Sequence, residues 1–170
     1  ATITGTGGGT FSSVTGVVFV NQFTGEIDLT ATPAGNHDVT YTTSGSCPST
    51  STVALDIYDA PDATDQTPVV CEDVSGGGTA AFELTSLESA INGDAGLTFS
   101  WYTDAALTSA VVDPTNVNVS DADIYYVQVD DGNCQSVGQA TFTVNSLPVL
   151  ADQNPVVCED AAGSGSASVD

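Results

Sequence analysis

Apolar residues alternate with Thr and Ser in short runs along the chain, and turn-forming residues separate these runs. The pattern predicts strands at 17–20, 26–29, 38–43, 50–58, 79–84, 97–102, 115–119, 124–129 and 139–144, with one helical turn at 86–91. Gly, Asp, Asn and Pro lie in the connections, as expected at strand ends. Asp130-Asp131-Gly132-Asn133 predicts a hairpin loop. Short strands at this spacing predict an all-β protein of immunoglobulin-like β-sandwich modules.

One stretch of the sequence occurs twice. Residues 61–73 and 148–160 are identical at nine of 13 aligned positions, without a gap. Cys71 and Cys158 are 87 residues apart, and Cys47 and Cys134 have the same separation. A fixed period of this size is typical of tandem copies of one module. We therefore expect tandem immunoglobulin-like modules with a period of about 87 residues.

The period also predicts the domain boundaries. Residues 1–60 form a module that lacks its first strands, residues 61–147 a complete module, and residues 148–170 the opening segment of the next one. We expect that each tail completes the module that follows it. The join could be covalent, in one long polypeptide, or non-covalent, by strand donation between subunits. The absence of Met indicates a piece of a longer precursor.

Composition narrows the function classes. The 170 residues contain 22 acidic side chains and no Lys or Arg, for a formal net charge of −22. Binding to nucleic acid needs cations against phosphates, and binding to anionic membranes needs polybasic segments, so neither is expected. No apolar run is long enough to span a bilayer, so membrane insertion is not expected either. The charge favours solubility and repulsion between neighbouring molecules.

The four cysteines lack metal-type spacing, which in a Thr- and Asp-rich β-sequence predicts disulfides and an extracellular location. Two schemes fit the repeat: Cys71–Cys134 within the second module, or Cys47–Cys71 and Cys134–Cys158 across the linkers. In an immunoglobulin-like sandwich, the hairpin before the last strand lies where the first strand enters, which favours Cys71–Cys134. Cys47 and Cys158 then pair with cysteines of the preceding and following units, and Cys158 of one unit would bridge Cys47 of the next.

Two sets of motifs carry a resemblance to known repeats. One repeat type of giant surface proteins from Bacteroidetes-group bacteria resembles the segments 2–13, 24–29 (Thr-Gly-Glu-Ile-Asp-Leu) and 39–43 (Val-Thr-Tyr-Thr-Thr). Pro68-Val69-Val70-Cys71-Glu72-Asp73, with the segments 99–104 and 131–134, resembles a second, immunoglobulin-like repeat. The resemblance implies export by type IX secretion, a cell-surface location, and roles in adhesion, gliding or filament formation.

Few residues are candidates for a site. Trp101 lies between Cys71 and Cys134 in sequence and is expected in the core. His37, the single histidine, is expected at a strand edge or in a loop, and no Gly-x-Ser-x-Gly motif accompanies it. With 22 acids, paired carboxylates arise by chance, so no catalytic site and no enzyme activity are predicted.

Calcium is the one candidate cofactor. Acidic residues recur close to each module junction, and hard oxygen ligands there could bind Ca²⁺ and stiffen it. No EF-hand pattern supports such a site, and solvated acids explain the charge equally well. The candidates are Asp65, Glu72, Asp73, Asp152, Glu159 and Asp160.

The sequence therefore predicts a non-enzymatic extracellular fibre or stalk on the cell surface. Its expected partners are neighbouring copies of itself, head to tail, and a surface glycan or protein ligand. One alternative is a pilus subunit that polymerises by donating its tail. Another is an array of carbohydrate-binding modules on a secreted enzyme, which would require an exposed aromatic platform.

Overall fold

The computed structural model describes residues 8–149 and Gly163. The predicted segment 148–170 therefore lies almost wholly outside the described residues, together with Cys158, Asp152, Glu159 and Asp160. No helix among the described residues is long and apolar enough to cross a membrane.

Residues 8–60, which we call the first domain, contain five strands: β1 (Thr10–Ser12), β2 (Phe19–Asn21), β3 (Glu26–Ile27), β4 (Gly35–Thr42) and β5 (Thr50–Ile57). An antiparallel sheet has the order β1-β4-β5, and β2 and β3 form a separate hairpin. In the described residues, its buried apolar cluster consists of Phe11, Val17 and Val39. The first domain thus has a small core on one sheet.

Residues 61–147, which we call the second domain, contain seven strands and a short helical segment. The strands are β6 (Val69–Cys71), β7 (Thr79–Phe82), β8 (Thr98–Tyr102), β9 (Val117–Ser120), β10 (Ile124–Asp130), β11 (Gln135–Thr141) and β12 (Thr143–Asn145). A 3-10 turn (Leu84–Leu87) runs directly into the one-turn helix α1 (Glu88–Ile91). The sheets have the orders β11-β10-β8, β7-β9 and β12-β6.

The core of the second domain lies between the β7-β9 sheet and the β11-β10-β8 sheet. Ala80 of β7 and Val119 of β9 pack in one buried cluster with Val127 of β10 and Ala140 of β11. Trp101 of β8 belongs to the same cluster and is 3% exposed. Because side chains alternate in direction along a strand, each sheet contributes every second residue to this layer. The all-β sandwich predicted from the sequence is therefore confirmed.

The two domains share one sheet arrangement. β1-β4-β5 in the first domain has the same strand order and antiparallel pairing as β8-β10-β11 in the second. β5 and β11 are in both cases the outer strands that follow a hairpin. The outer edges of β5 and β11 therefore hold equivalent positions in the two sheets.

The sequence pattern does not predict the very short strands β1 and β6. It predicts one strand at 139–144, where the structure has the two strands β11 and β12. So short a strand shows too little alternation to be recognised. His37 was also predicted wrongly. It is buried in β4, and its ring nitrogens lie 2.9 Å and 2.8 Å from the carbonyl oxygens of Thr15 and Pro33.

Candidate functional site

The two ends of the second domain are the candidate site, because the described cysteines of this domain lie there. From Tyr58 to Cys71 the chain runs parallel to β11 and β12 along their whole length. The Cys134 thiol donates to the Tyr58 carbonyl over 3.7 Å, which places Cys134 beside Tyr58. At the other end Cys71 pairs in register with Asn145. We call these ends the N-terminal pole (Tyr58, Cys134) and the C-terminal pole (Cys71, Asn145).

The predicted Cys71–Cys134 bridge is absent from the structure, where both are free thiols. The chain between Cys134 and Asn145 passes through β11 and β12, so the poles are on the order of 35 Å apart at about 3.3 Å per residue. A disulfide needs Cα atoms within about 7 Å. The expectation that both cysteines lie at one pole is wrong, because β6 runs parallel to β12 and carries Cys71 away from the hairpin.

Cys47 occupies the corresponding place in the first domain. It is exposed in the β4–β5 hairpin, whose ends are joined by a 2.9 Å bond from the Thr43 N–H to the Ser49 carbonyl. β5 then leads away from this turn toward Tyr58. Cys47 and Cys134 therefore both lie in the hairpin before the outer strand of their three-stranded sheets.

The hairpin that holds Cys134 is fixed by an aspartate. Asp131 Oδ1 accepts the N–H groups of Asn133 at 2.8 Å and Cys134 at 2.7 Å. Both bonds lower the pKa of Asp131 below its ordinary value, and the bond from the Cys134 N–H has the larger effect. Gly132 has a φ of +90°, which glycine adopts without strain. The loop thus presents Cys134 in a defined position at the N-terminal pole.

At the C-terminal pole, Glu72 holds the chain together through a carboxylate that is almost fully buried. Its Oε1 accepts the N–H groups of Gly76 at 2.9 Å and Leu147 at 3.0 Å, and its Oε2 accepts that of Gly78 at 2.8 Å. Glu72 thereby ties the loop after β6 to the segment that leaves the domain. Three N–H donors stabilise the ionised form, and the pKa of Glu72 is lowered, most strongly by Gly78.

We predict that Glu72→Gln lowers the melting temperature of the second domain by several degrees at pH 7. The amide NH₂ would face an N–H donor where a carboxylate oxygen now accepts. Because the folded-state pKa is below the ordinary value of 4.5, the carboxylate stabilises the fold above that pH and loses this effect as pH falls through the folded pKa. The difference in melting temperature between wild type and variant should therefore shrink on acidification.

Glu83→Gln is the matched control, because the Glu83 side chain lies in the same domain and is not held by buried N–H donors. Melting curves of wild type and both variants, recorded from pH 7 downward, give the comparison. A difference for Glu72→Gln that stayed constant below pH 4.5 would contradict the role assigned to the ionised carboxylate.

The calcium candidates do not converge in the described part of the chain. Asp65 accepts the Gln139 N–H at 2.9 Å midway along β11, and Asp73 accepts the Ala81 N–H at 2.6 Å. Glu72 is engaged by its three N–H donors. Within residues 8–149, no group of three His, Cys, Asp or Glu side chains is arranged to hold a metal ion. These acids therefore act as acceptors that fasten loops and the first segment of the domain.

A different set of acids borders an open cleft at the N-terminal pole, where the linker between the domains meets the second domain. The cleft is lined by Asp59, Ala60, Pro61, Asp62, Asp94, Ala95, Leu97 and Asp131. Sequence reasoning did not select these acids, because Asp94 and Asp131 are distant in sequence from the linker and only the fold brings them to it.

Trp101 offers no binding surface. Its ring lies in the core, opposite Val127 in the β8–β10 pairing, and its indole N–H donates to Glu88 Oε1 over 3.2 Å. The bond satisfies the polar edge of the ring inside the domain. Trp101 therefore has a structural role and is not available to stack on a sugar.

Comparison with known proteins matches part of this chain to one family model, and 15 chains of solved structures also match. Residues 67–148 match the model of the Flavobacterium inter-domain disulphide bond domain. Mouse cadherin-23 EC22-24 matches with 15% identity and a TM-score of 0.26, and the match covers 80% of this chain and 53% of that chain. For human protocadherin-24 EC1-2 the values are 12%, 0.25, 82% and 83%. The chain thus spans about half of the cadherin-23 structure. No curated protein sequence matches.

Proposed function

We propose that this chain is a non-enzymatic, structural part of an extracellular stalk, in which disulfides join consecutive immunoglobulin-like domains. The observation that carries the proposal is the separation of the cysteines. Cys71 and Cys134 lie at opposite poles of one sandwich, so each can reach only a neighbouring domain. The family matched by residues 67–148 is named for an inter-domain disulphide bond, which supports this interpretation.

The direction of the bridges follows from the poles. The C-terminal pole with Cys71 meets the N-terminal pole of the next domain, where a hairpin cysteine equivalent to Cys47 or Cys134 lies. Each domain thus forms one disulfide with the preceding domain, through its hairpin cysteine, and one with the following domain, through the cysteine of its first strand. The residue pairs are those of the linker-spanning scheme, Cys47–Cys71 and Cys134–Cys158, but formed between successive copies.

A series of disulfides between successive domains would limit how far the stalk stretches. The chain between Cys47 and Cys71 consists of β5, the linker and β6. A pulling force that enters the chain at Cys47 leaves it at Cys71. The force is therefore carried by the short stretch between these two cysteines, and the other strands of both domains do not bear it. Most of each core is then shielded from extension, which suits a spacer that holds a ligand-binding part away from the cell.

The finer roles are proposals of the same kind. Adhesion, gliding or filament formation on the cell surface, with export by type IX secretion, all require a long and soluble projection. The charge of −22 would keep neighbouring stalks apart. Copies of the chain, head to tail, are the proposed partners, and a surface glycan or protein is the proposed ligand of the assembled stalk.

Disulfide mapping tests the proposal. Native material is alkylated, digested without reduction and analysed by mass spectrometry, and the same digest after reduction is the control. We expect the Cys71 peptide linked to the Cys47 peptide, and the Cys134 peptide linked to the Cys158 peptide. A Cys71–Cys134 linkage, or four free thiols in native material, would refute the proposed function.

A further inference from the structure

The outer edge of β5 has no partner strand in the part of the chain that the structure describes. In the described residues, β5 pairs with β4 alone. The bond from the Thr43 N–H to the Ser49 carbonyl sets the alternation of this hairpin, so odd-numbered residues of β5 bond to β4. The N–H and C=O groups of Thr52 and Ala54 consequently point away from β4. An edge of this kind is a template for another strand.

The corresponding edge of β11 is covered in the second domain. Gln66 donates its N–H to the Gln139 carbonyl at 2.8 Å, and its carbonyl accepts the Thr141 N–H at 2.9 Å. Further along, β6 continues this parallel pairing beside β12. The offset of the repeat maps Gln139 onto Thr52 and Thr141 onto Ala54.

Side chains beside the covered edge of β11 are more deeply buried than their counterparts beside the outer edge of β5. Ala140 and Phe142 are 0% and 1% exposed in the second domain. Their counterparts at the repeat offset are Val53 and Leu55. Val53 is 62% exposed, and Leu55 is partly buried against the small first core. Among the described residues, the first domain therefore has both an unpaired edge and an exposed apolar position where the second domain has a covering segment.

The chain itself contains a segment that matches the missing strand. Residues 148–160 share nine of 13 positions with 61–73, and Gln153 stands where Gln66 stands. The residues after it, 166–170, read Ser-Ala-Ser-Val-Asp against Thr-Ala-Ala-Phe-Glu at 79–83, the stretch that forms β7. The segment can thus supply counterparts of both the covering segment and β7.

We propose that residues 148–170 of a second copy bind the first domain, with 148–160 lying parallel along the outer edge of β5. This proposal rests on the stalk function above and specifies how copies join. The Gln153 N–H donates to the Thr52 carbonyl, and the Gln153 carbonyl accepts the Ala54 N–H. The register is that of Gln66 between Gln139 and Thr141.

The same register brings two cysteines together. Cys71 is in register with Asn145, and the repeat offset maps this pair onto Cys158 and Tyr58. The Tyr58 carbonyl already accepts the Cys134 thiol over 3.7 Å. A tail docked on β5 therefore places Cys158 next to Cys134 of the receiving chain. The contact of Cys134 with Tyr58 is a separate observation that agrees with the register given by Gln66.

The first test is association of the full chain under reducing conditions, measured by sedimentation from micromolar to near-millimolar concentration in moderate salt, which screens the acidic surface. We expect concentration-dependent head-to-tail assembly. Ala54→Pro removes only an outward N–H and should weaken assembly at least about ten-fold, whereas Ala54→Ser, which keeps the N–H, should not. A chain that remains monomeric throughout overturns the proposal.

A peptide competitor avoids any change to the folded domain. A synthetic peptide of residues 148–170 carrying Cys158→Ser should disassemble the wild-type chain, and hydrogen exchange of the Thr52–Ala54 region should slow when it binds. The same peptide with Gln153→Pro lacks the N–H for Thr52 and should be inactive. Equal effects of both peptides, or no effect of either, would overturn the register. Slow exchange in a monomer would instead mean that each chain binds its own tail, and would overturn the second-copy assignment.

Oxidation then reports the register covalently. With glutathione disulfide as oxidant, each Cys134–Cys158 bond consumes one glutathione disulfide and releases two glutathione thiols, which carry away the two protons and two electrons. We expect this linkage between chains in wild type and in Cys71→Ser, and its loss in Cys134→Ser. Native inter-domain bridges without tail binding would overturn docking on β5 while leaving the stalk function intact, because a continuous polypeptide can form them.

Discussion

Replacing Trp101 with alanine is expected to lower the free energy of unfolding of the second domain by about 3–5 kcal/mol. The ring is 3% exposed and lies in the cluster formed by both sheets of the sandwich. Its removal leaves a cavity opposite Val127, and the Glu88 carboxylate loses the indole N–H that it accepts at 3.2 Å. Both effects act in the same direction.

Urea unfolding followed by far-ultraviolet circular dichroism measures this loss. Val112→Ala is the control, since Val112 is 99% exposed and its truncation removes little buried surface. A Trp101→Ala variant as stable as Val112→Ala would show that the ring does not anchor this core.

Replacing Gly9 with alanine is expected to destabilise the first domain by about 1–3 kcal/mol through overpacking. A Cβ atom built at Gly9 would overlap the Thr42 carbonyl oxygen and would lie 2.7 Å from the Tyr41 ring. The Gly9 N–H also donates to the Tyr41 hydroxyl over 2.8 Å. The backbone must shift to admit the methyl group, which separates β1 from β4 and opens a small core.

Gly93→Ala is the matched control for this substitution. A Cβ atom at Gly93 would meet only the Ser89 carbonyl oxygen, at an ordinary 3.4 Å. Hydrogen exchange resolved along the chain should show faster exchange in β4 and β5 for Gly9→Ala and no change for Gly93→Ala. Wild-type exchange in β4 and β5 of Gly9→Ala would contradict the close approach.

Together the two core variants test the domain boundary near residue 60. The buried clusters of the two domains share no residue. We therefore expect Trp101→Ala to affect exchange only in β6–β12, and Gly9→Ala only in β1–β5. Joint loss of protection in both halves after either substitution would mean that the chain unfolds as one unit.

The tail that we propose as the missing strand also explains why the first domain is poorly covered. Its three-stranded sheet has the same order as that of the second domain, but Val53 is 62% exposed where Ala140 is fully buried. If residues 148–170 of a second copy bind there, the first domain gains the partner that the second domain contains in its own sequence. Assembly and folding of the first domain are then coupled, and its stability should rise with concentration.

The sequence by itself determined the all-β class, most strand positions and the assignment of Trp101 to the interior. Alternation of apolar and polar residues is a local property with a period of two, so it identifies strands and the face that each one buries. The cysteine spacing and the repeated segment likewise indicated which residues are equivalent. All these inferences use distances along the chain, which the sequence contains in full.

Only the tertiary structure decided the neighbours of each strand and their direction. The sequence of residues 61–71 does not say which strand this segment pairs with or in which direction it runs. In the structure it runs parallel to β11 and β12, the last two strands of the domain. This pairing places Cys71 at the C-terminal pole, far from Cys134. It also places the Glu72 carboxylate where it accepts the N–H groups of Gly76, Gly78 and Leu147 and does not join the other calcium candidates. The physical reason is that strand order and direction are fixed by how the sheets pack over a shared core, which depends on contacts between distant segments.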